Sequence, residues 1–124
     1  NFIHKMIKDY KNTIINIDKL TYAGNLNSLL SIENHHKYSF MLCDINDNKR
    51  MKEILLKHKP DKIVNFAAES HVDRSIDGPM EFVMTNVVGT VSLLQSSYEY
   101  YSTLKNNDKK IFRFFQPTFF LQNL

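Results

Sequence analysis

The hydrophobic and polar positions of the chain alternate between two periods. Phe2, Ile3, Met6 and Ile7 fit one face of a helix. TIINID, Thr13 to Asp18, is short and β-branched, and reads as a buried strand that ends in an acid. LTYAGN follows as a loop, and Leu26, Leu29 and Leu30 suggest a short helix. YSFMLCD, Tyr38 to Asp44, reads as a second strand, again closed by an aspartate. Asp47 or Asn48 is placed to cap a helix with apolar positions Met51, Ile54, Leu55 and His58, stopped by Pro60. KIVNFA, Lys62 to Ala67, reads as a third strand.

A longer helix is expected next. Gly78 at its cap, Pro79 in its first turn and Glu81 just after are typical of a helix start. Val83, Val87, Val91, Leu94, Tyr98 and Tyr101 step by three or four residues and predict one buried stripe. Gly89, in mid-helix, costs roughly 1 kcal/mol against alanine, which points to a close backbone approach there. KIFRFF, Lys110 to Phe115, reads as a fourth strand. Strands alternating with helices predict an α/β fold, a doubly wound parallel sheet covered on both faces.

Composition narrows the function. The chain of 124 residues suffices for one core, and 43% hydrophobic with 23% charged residues is ordinary for a globular domain. The net charge of +3 comes from scattered lysines, which speaks against a nucleic-acid partner. Nothing approaches the ~20 apolar residues of a membrane span, and NFIHKMIKDYKN lacks a signal-peptide profile. The single cysteine, Cys43, excludes an internal disulfide and a cysteine metal cluster; it reads as a small buried hydrophobe of a reducing, cytoplasmic compartment.

Chemistry gathers where the strands end. Ligands of doubly wound sheets bind outside the carboxyl ends of the strands, and here three strands end in Asp18, in Asp44 and in Ala68–Glu69–Ser70. An acid such as Asp18 accepts from the ribose hydroxyls of a dinucleotide and repels a 2′-phosphate, favouring NAD over NADP. Asp44, one strand over, suits an adenine amine, and Ala67 with Ala68 would let the backbone come close to the cofactor. The same residues also fit an ordinary polar loop.

DKLTYAGN (Asp18 to Asn25), the acid-ended strand at Asp44–Ile45 and NFAAESHVDRSIDGPMEFVMTNVVGT (Asn65 to Thr90) resemble the dTDP-glucose 4,6-dehydratase family of the extended short-chain dehydrogenase/reductases. The resemblance runs from Asn1 to about Phe114. It implies a Rossmann-like, NAD-binding part over 1–115 and a divergent tail over 116–124. It assigns Asp18, Lys19 and Thr21 to the adenosine half of NAD, and Asp44 and Ile45 to the adenine. Phe66, Ala67, Ala68, Glu69 and Ser70 would run beneath the cofactor, with Ser70 also touching the nucleotide-sugar, dTDP-glucose, and Thr85 making a further cofactor contact. Asp73 and Arg74 read as an ion pair that shapes the loop, ahead of His71 as a base. The family also implies a homodimer.

The resemblance further implies a strand and a loop of the G-x-x-G-x-x-G kind immediately before the segment matching Asn1. The chain is expected to start after them, so that its sheet is incomplete; three glycines, where average usage gives about nine, agree with this. It also implies a Ser–Thr–Asp–Glu segment and a Tyr-x-x-x-Lys pair beyond the fourth strand. QPTFFLQNL matches neither, so no catalytic residue is assigned, Thr118 included. The expectation is a fragment inactive on its own, with its second and fourth family strands left unpaired on facing sides and prone to partial unfolding and association. A fragment of a UDP-rhamnose synthase or another nucleotide-sugar dehydratase or epimerase, and a non-catalytic remnant, are the alternatives.

Overall fold

The computed structural model describes residues 2–21, 24–69 and 79–117, in two compact units, 1–44 and 45–124.

In the first unit, α1 (Phe2–Lys8) precedes β1 (Ile14–Asp18), a 3-10 helix (Leu26–Ile32) and β2 (Tyr38–Leu42). The strands are parallel, with Ile14 opposite Tyr38 and Asp18 opposite Leu42. β-Branched Ile14, Ile15 and Ile17 suit the pleated surface. Asn16 Nδ2 donates to the Tyr38 hydroxyl at 3.2 Å, so a polar residue inside the strand is satisfied across the pair. The 3-10 helix begins where Asn25 accepts from Asn27 N. Ile7 and Cys43 are the buried side chains among the described residues of this unit, and the Cys43 thiol, which is in no disulfide, donates to Asp44 O at 3.3 Å.

The second unit contains α2 (Asn48–His58), β3 (Lys62–Val64), α3 (Pro79–Val83), a π-helical segment (Met84–Gly89), α4 (Thr90–Thr103), α5 (Asn106–Ile111) and β4 (Arg113–Phe115). Asp47 caps α2 by accepting from Arg50 N at 2.9 Å. Lys59, at φ 47° in the left-handed region, ends α2 by donating its N–H to Leu55 O. β3 and β4 are parallel, Lys62 opposite Arg113 and Val64 opposite Phe115. The core joins α2 and α4, where Met51, Ile54, Leu55, Leu93 and Tyr100 are buried.

The pairings β1–β2 and β3–β4 are those of the second with the third and the fourth with the fifth strand in the doubly wound order. The fold is an incomplete Rossmann-like α/β sheet, with two parallel pairs among the described residues.

Two expectations are corrected. The stripe Val83, Val87, Val91, Leu94 and Tyr98 is exposed, Val91 by 61% and Tyr98 by 67%, while Tyr101 is half-buried. The buried face of α4 is instead Leu93, Ser96, Ser97 and Tyr100. Small hydroxyl side chains let α2 come close and bond across the seam, whereas periodicity records an apolar face without recording what lies on it. The fourth strand is also shorter than expected, because Lys110 and Ile111 belong to α5. Phe112 N–H donates to Asp108 O at 2.9 Å, which keeps the chain helical until Phe112. The strands at Tyr38 and Lys62 likewise end early, at Leu42 and Val64.

Candidate dinucleotide-binding edge

In the first unit the site residues meet at the carboxyl edge of the β1–β2 pair. The main chain keeps the strands together one step past β2, with Cys43 N–H donating to Asp18 O at 3.1 Å. That bond brings Asp44 alongside the end of β1, where Lys19 Nζ lies 3.4 Å from Asp44 Oδ2. The two side chains are 35% and 38% exposed, so the pair contributes little stability and serves mainly to hold the two groups in place. Leu20 N–H donates to Asp18 Oδ1 at 2.7 Å and fixes the carboxylate. Among the described residues Asp18 Oδ2 has no partner, which leaves an exposed, oriented acceptor. The turn that follows is tight: Leu20 has φ 51°, and Gly24 N–H donates to Thr21 O at 2.7 Å. A Cβ on Gly24 would lie 2.9 Å from Leu20 Cα, so only glycine fits there.

In the second unit the remaining residues line a strip that leaves β3. Asn65, 3% exposed, donates its N–H to Phe115 O and extends the β3–β4 ladder by one rung. Its side chain donates to Gln116 Oε1 at 2.8 Å and accepts from Ala67 N–H at 3.1 Å. The strip then runs through exposed Phe66, half-buried Ala67, exposed Ala68 and half-buried Glu69. Glu69 is held by Asn86, whose Oδ1 accepts from Glu69 N–H and whose Nδ2 donates to Glu69 O, both at 2.8 Å. Thr85, half-buried, adjoins Asn86 in the π-helical segment. Ile45 reaches the same segment: a Cβ on Gly89 would lie 2.7 Å from Ile45 Cδ1, and Ser92 Oγ donates to Ile45 O at 2.9 Å. The close approach expected at Gly89 is therefore made, with Ile45 as the group that needs it.

Asp18, Lys19, Thr21 and Asp44 thus lie in one unit, and Ile45, Phe66 to Glu69 and Thr85 in the other. Ser70, His71, Asp73, Arg74 and Gly78 lie outside the described residues, as does Thr118. Asn65 and Asn86 were passed over by the sequence reading. Their signal was an amide side chain at positions where a strand or helix former would be usual. Among the described residues no three acidic, histidine or cysteine side chains gather as metal ligands, and no helix is long and apolar enough to cross a membrane.

Residues 1–117 match the family model described as GDP-mannose 4,6 dehydratase. The chain belongs to this family. It is 47% identical over 112 residues to dTDP-glucose 4,6-dehydratase of Escherichia coli, covering 90% of this chain and 31% of that enzyme. The corresponding enzyme of Xanthomonas campestris is 48% identical over 101 residues, 82% of this chain and 29% of its own. Among solved structures, a dTDP-glucose 4,6-dehydratase of Streptomyces venezuelae with NAD bound aligns at a TM-score of 0.75 and 38% identity, over 80% of this chain and 32% of that one. One from Bacillus anthracis, in complex with NAD, aligns at 0.74 and 34%, over 94% and 32%. The chain spans about a third of the length of these relatives.

Proposed function

We propose that this chain forms the cofactor side of an NAD-dependent dTDP-glucose 4,6-dehydratase, a hydro-lyase that turns dTDP-glucose into its 4-keto-6-deoxy form. The observation that carries the reading is the fixed Asp18 carboxylate with one oxygen still open, set beside the Lys19–Asp44 pair at a carboxyl strand edge. Such an acceptor suits ribose hydroxyls and repels a 2′-phosphate. Within the second unit, Ala67 and Ala68 leave room for a flat ligand over backbone whose polar groups are already ordered by Asn65 and Asn86. Bound NAD would take up and return the hydride; the chain's own residues hold and orient it. Ser70 is the residue we assign to the nucleotide-sugar.

The whole enzyme acts as a homodimer in the cytoplasm. The exposed apolar face of α3, the π-helical segment and α4 supports the first statement, since a soluble chain rarely leaves Val83, Val87, Val91, Leu94 and Tyr98 uncovered together. The buried Cys43, which is in no disulfide, supports the second.

Calorimetric titration with NAD and NADP tests the proposal. NAD is expected to bind more tightly, and Asp18→Asn is expected to remove most of the preference. Equal or tighter binding of NADP by the unaltered chain would overturn the assignment of Asp18.

A further inference from the structure

Asn86 does to Glu69 what a neighbouring strand would do. Its carboxamide is a short peptide group with one acceptor and one donor on adjacent atoms. Both are spent on a single residue, Oδ1 on Glu69 N–H and Nδ2 on Glu69 O, each at 2.8 Å. Glu69 lies five residues beyond the last residue of β3, where no strand among the described residues pairs with its main chain. Unpaired, a half-buried peptide group would have to be satisfied by water or would shift. The bonds also span 17 positions of sequence and tie the end of the Phe66–Glu69 strip to a helical rod.

The rod is shaped at this point. Met84–Gly89 is π-helical, and single π turns recur at functional sites because they re-aim side chains and free carbonyls. One such carbonyl, Met84 O, accepts from Asn46 Nδ2. Asn86 lies two residues further on, inside the same turn. Asparagine is a poor helix former that competes for backbone bonds, so its presence here is explained by a bond made outside the helix.

We propose that Asn86 is a positioning residue that clamps the Glu69 peptide and so sets the course of the Phe66–Glu69 strip on which the cofactor would rest. This rests on the NAD reading only for the identity of the ligand; the clamp is a property of the chain. Aspartate at this position keeps the shape and the acceptor but loses the donor and turns an oxygen toward Glu69 O. A role in packing alone would tolerate that exchange, and a clamp would not.

The test is amide hydrogen exchange by NMR on the unaltered chain and on Asn86→Asp and Asn86→Ala. In both variants the Glu69 amide is expected to exchange about tenfold faster, the size of effect a net hydrogen bond allows, while the Leu93 and Tyr100 amides keep their rates. Should the variants fail to fold, the unaltered chain still decides. A scalar coupling across the hydrogen bond, from Glu69 N to Asn86 Cγ, is expected, and its absence would overturn the proposal. So would an unchanged Glu69 rate in Asn86→Asp, or an equal loss of protection at Leu93 and Tyr100. NAD titration of the same proteins separates the two readings: a clamp present without any NAD binding refutes the cofactor and leaves the clamp, whereas NAD binding with a free Glu69 amide does the reverse.

Discussion

Gly89 shows how one atom can decide a position. Alanine in a helix is favoured over glycine by about 1 kcal/mol, so an open site would gain from the exchange. Here the added Cβ would lie 2.7 Å from Ile45 Cδ1 and 3.3 Å from Met84 O. Overpacking of this kind costs roughly 1–3 kcal/mol, so Gly89→Ala is expected to lower stability by about 1 kcal/mol, from the difference of the two effects. Ile45→Val removes the Cδ1 that stands in the way. A γ carbon would still stand near the new Cβ, where Ile45 Cγ1 lies at 3.0 Å, so in that background Gly89→Ala is expected to cost clearly less than in the unaltered chain, and urea denaturation of the four proteins of the cycle measures the coupling. Purely additive effects would show that the contact is not the cause. The need for glycine was legible in the sequence as a costly residue in mid-helix; its partner was not, because Ile45 is 44 positions away and only the fold brings them together. Asp18 and Asp44 were legible for the opposite reason, since their positions follow from strand ends that the β-branched runs mark locally. Asp18→Asn carries the corresponding prediction for the site: in titration calorimetry the preference for NAD over NADP should fall while the fold, read by circular dichroism, stays as it was.

At the scale of elements, the rod from Pro79 to Thr103 has two unlike faces. One is built for closeness. Ser96 Oγ donates to Asn48 Oδ1 at the start of α2, Ser92 Oγ lies against the same oxygen, and Ser96 is 2% exposed. The Lys52–Glu99 pair at 3.1 Å lies on the rim of the same seam, and bonds from Gln95 and Lys52 hold the Glu99 carboxyl below the usual range. The other face, Val83 to Tyr98, is apolar and exposed. Replacing Val87 and Val91 together by lysine is expected to leave the melting temperature of the chain nearly unchanged, since neither side chain is buried. If this face joins two copies, the same substitutions move the protein from dimer to monomer in sedimentation velocity. A clear fall in melting temperature of the monomer would mean that the face is covered from within. The pattern of hydrophobic steps identified the apolar stripe correctly and its burial wrongly, because serines that pack against a neighbouring helix look polar on any hydropathy scale. The same blindness lengthened the last strand: Ile111 belongs by pattern to Phe112 and Phe114, and by hydrogen bonding to α5.

For the molecule as a whole, the strand pairing and the parallel sense were legible, because helices between strands leave little other choice. Strand length was not, since pairing ends where partners end. Alkaline stability offers a test of the larger core. Tyr100 is 2% exposed, and its hydroxyl donates to Pro60 O at 3.0 Å. Burial first, then the nearby Asp108 and Asp61 carboxylates, raises its phenol above the usual value near 10. The unfolded chain therefore releases this proton before the folded one, and stability falls as pH rises. The contribution is whole below about pH 10 and is lost as the pH passes through the raised value of the folded state. Tyr100→Phe should lower stability at neutral pH by about 1 kcal/mol, a lost hydrogen bond that leaves Pro60 O unpaired. It should also flatten the decline above pH 10, as thermal melts across pH 8–11 would record. An unchanged alkaline slope would mean that another group governs it.

The register of the two parallel pairs also fixes when each can form as the chain is made. Ile14 must wait for Tyr38, 38 − 14 = 24 residues later, and Lys62 for Arg113, 113 − 62 = 51 residues later. At the usual ~5–20 residues per second of synthesis, β3 waits about 3–10 s for β4 after it is made. During that time the edge that β4 will take has only water or a stranger's backbone to bond to. The short β3, three residues with Lys62 exposed and a polar Asn65 directly after it, offers little for a stranger to hold. The brevity of that strand, a weakness in the finished sheet, is a safeguard while the chain is still being born.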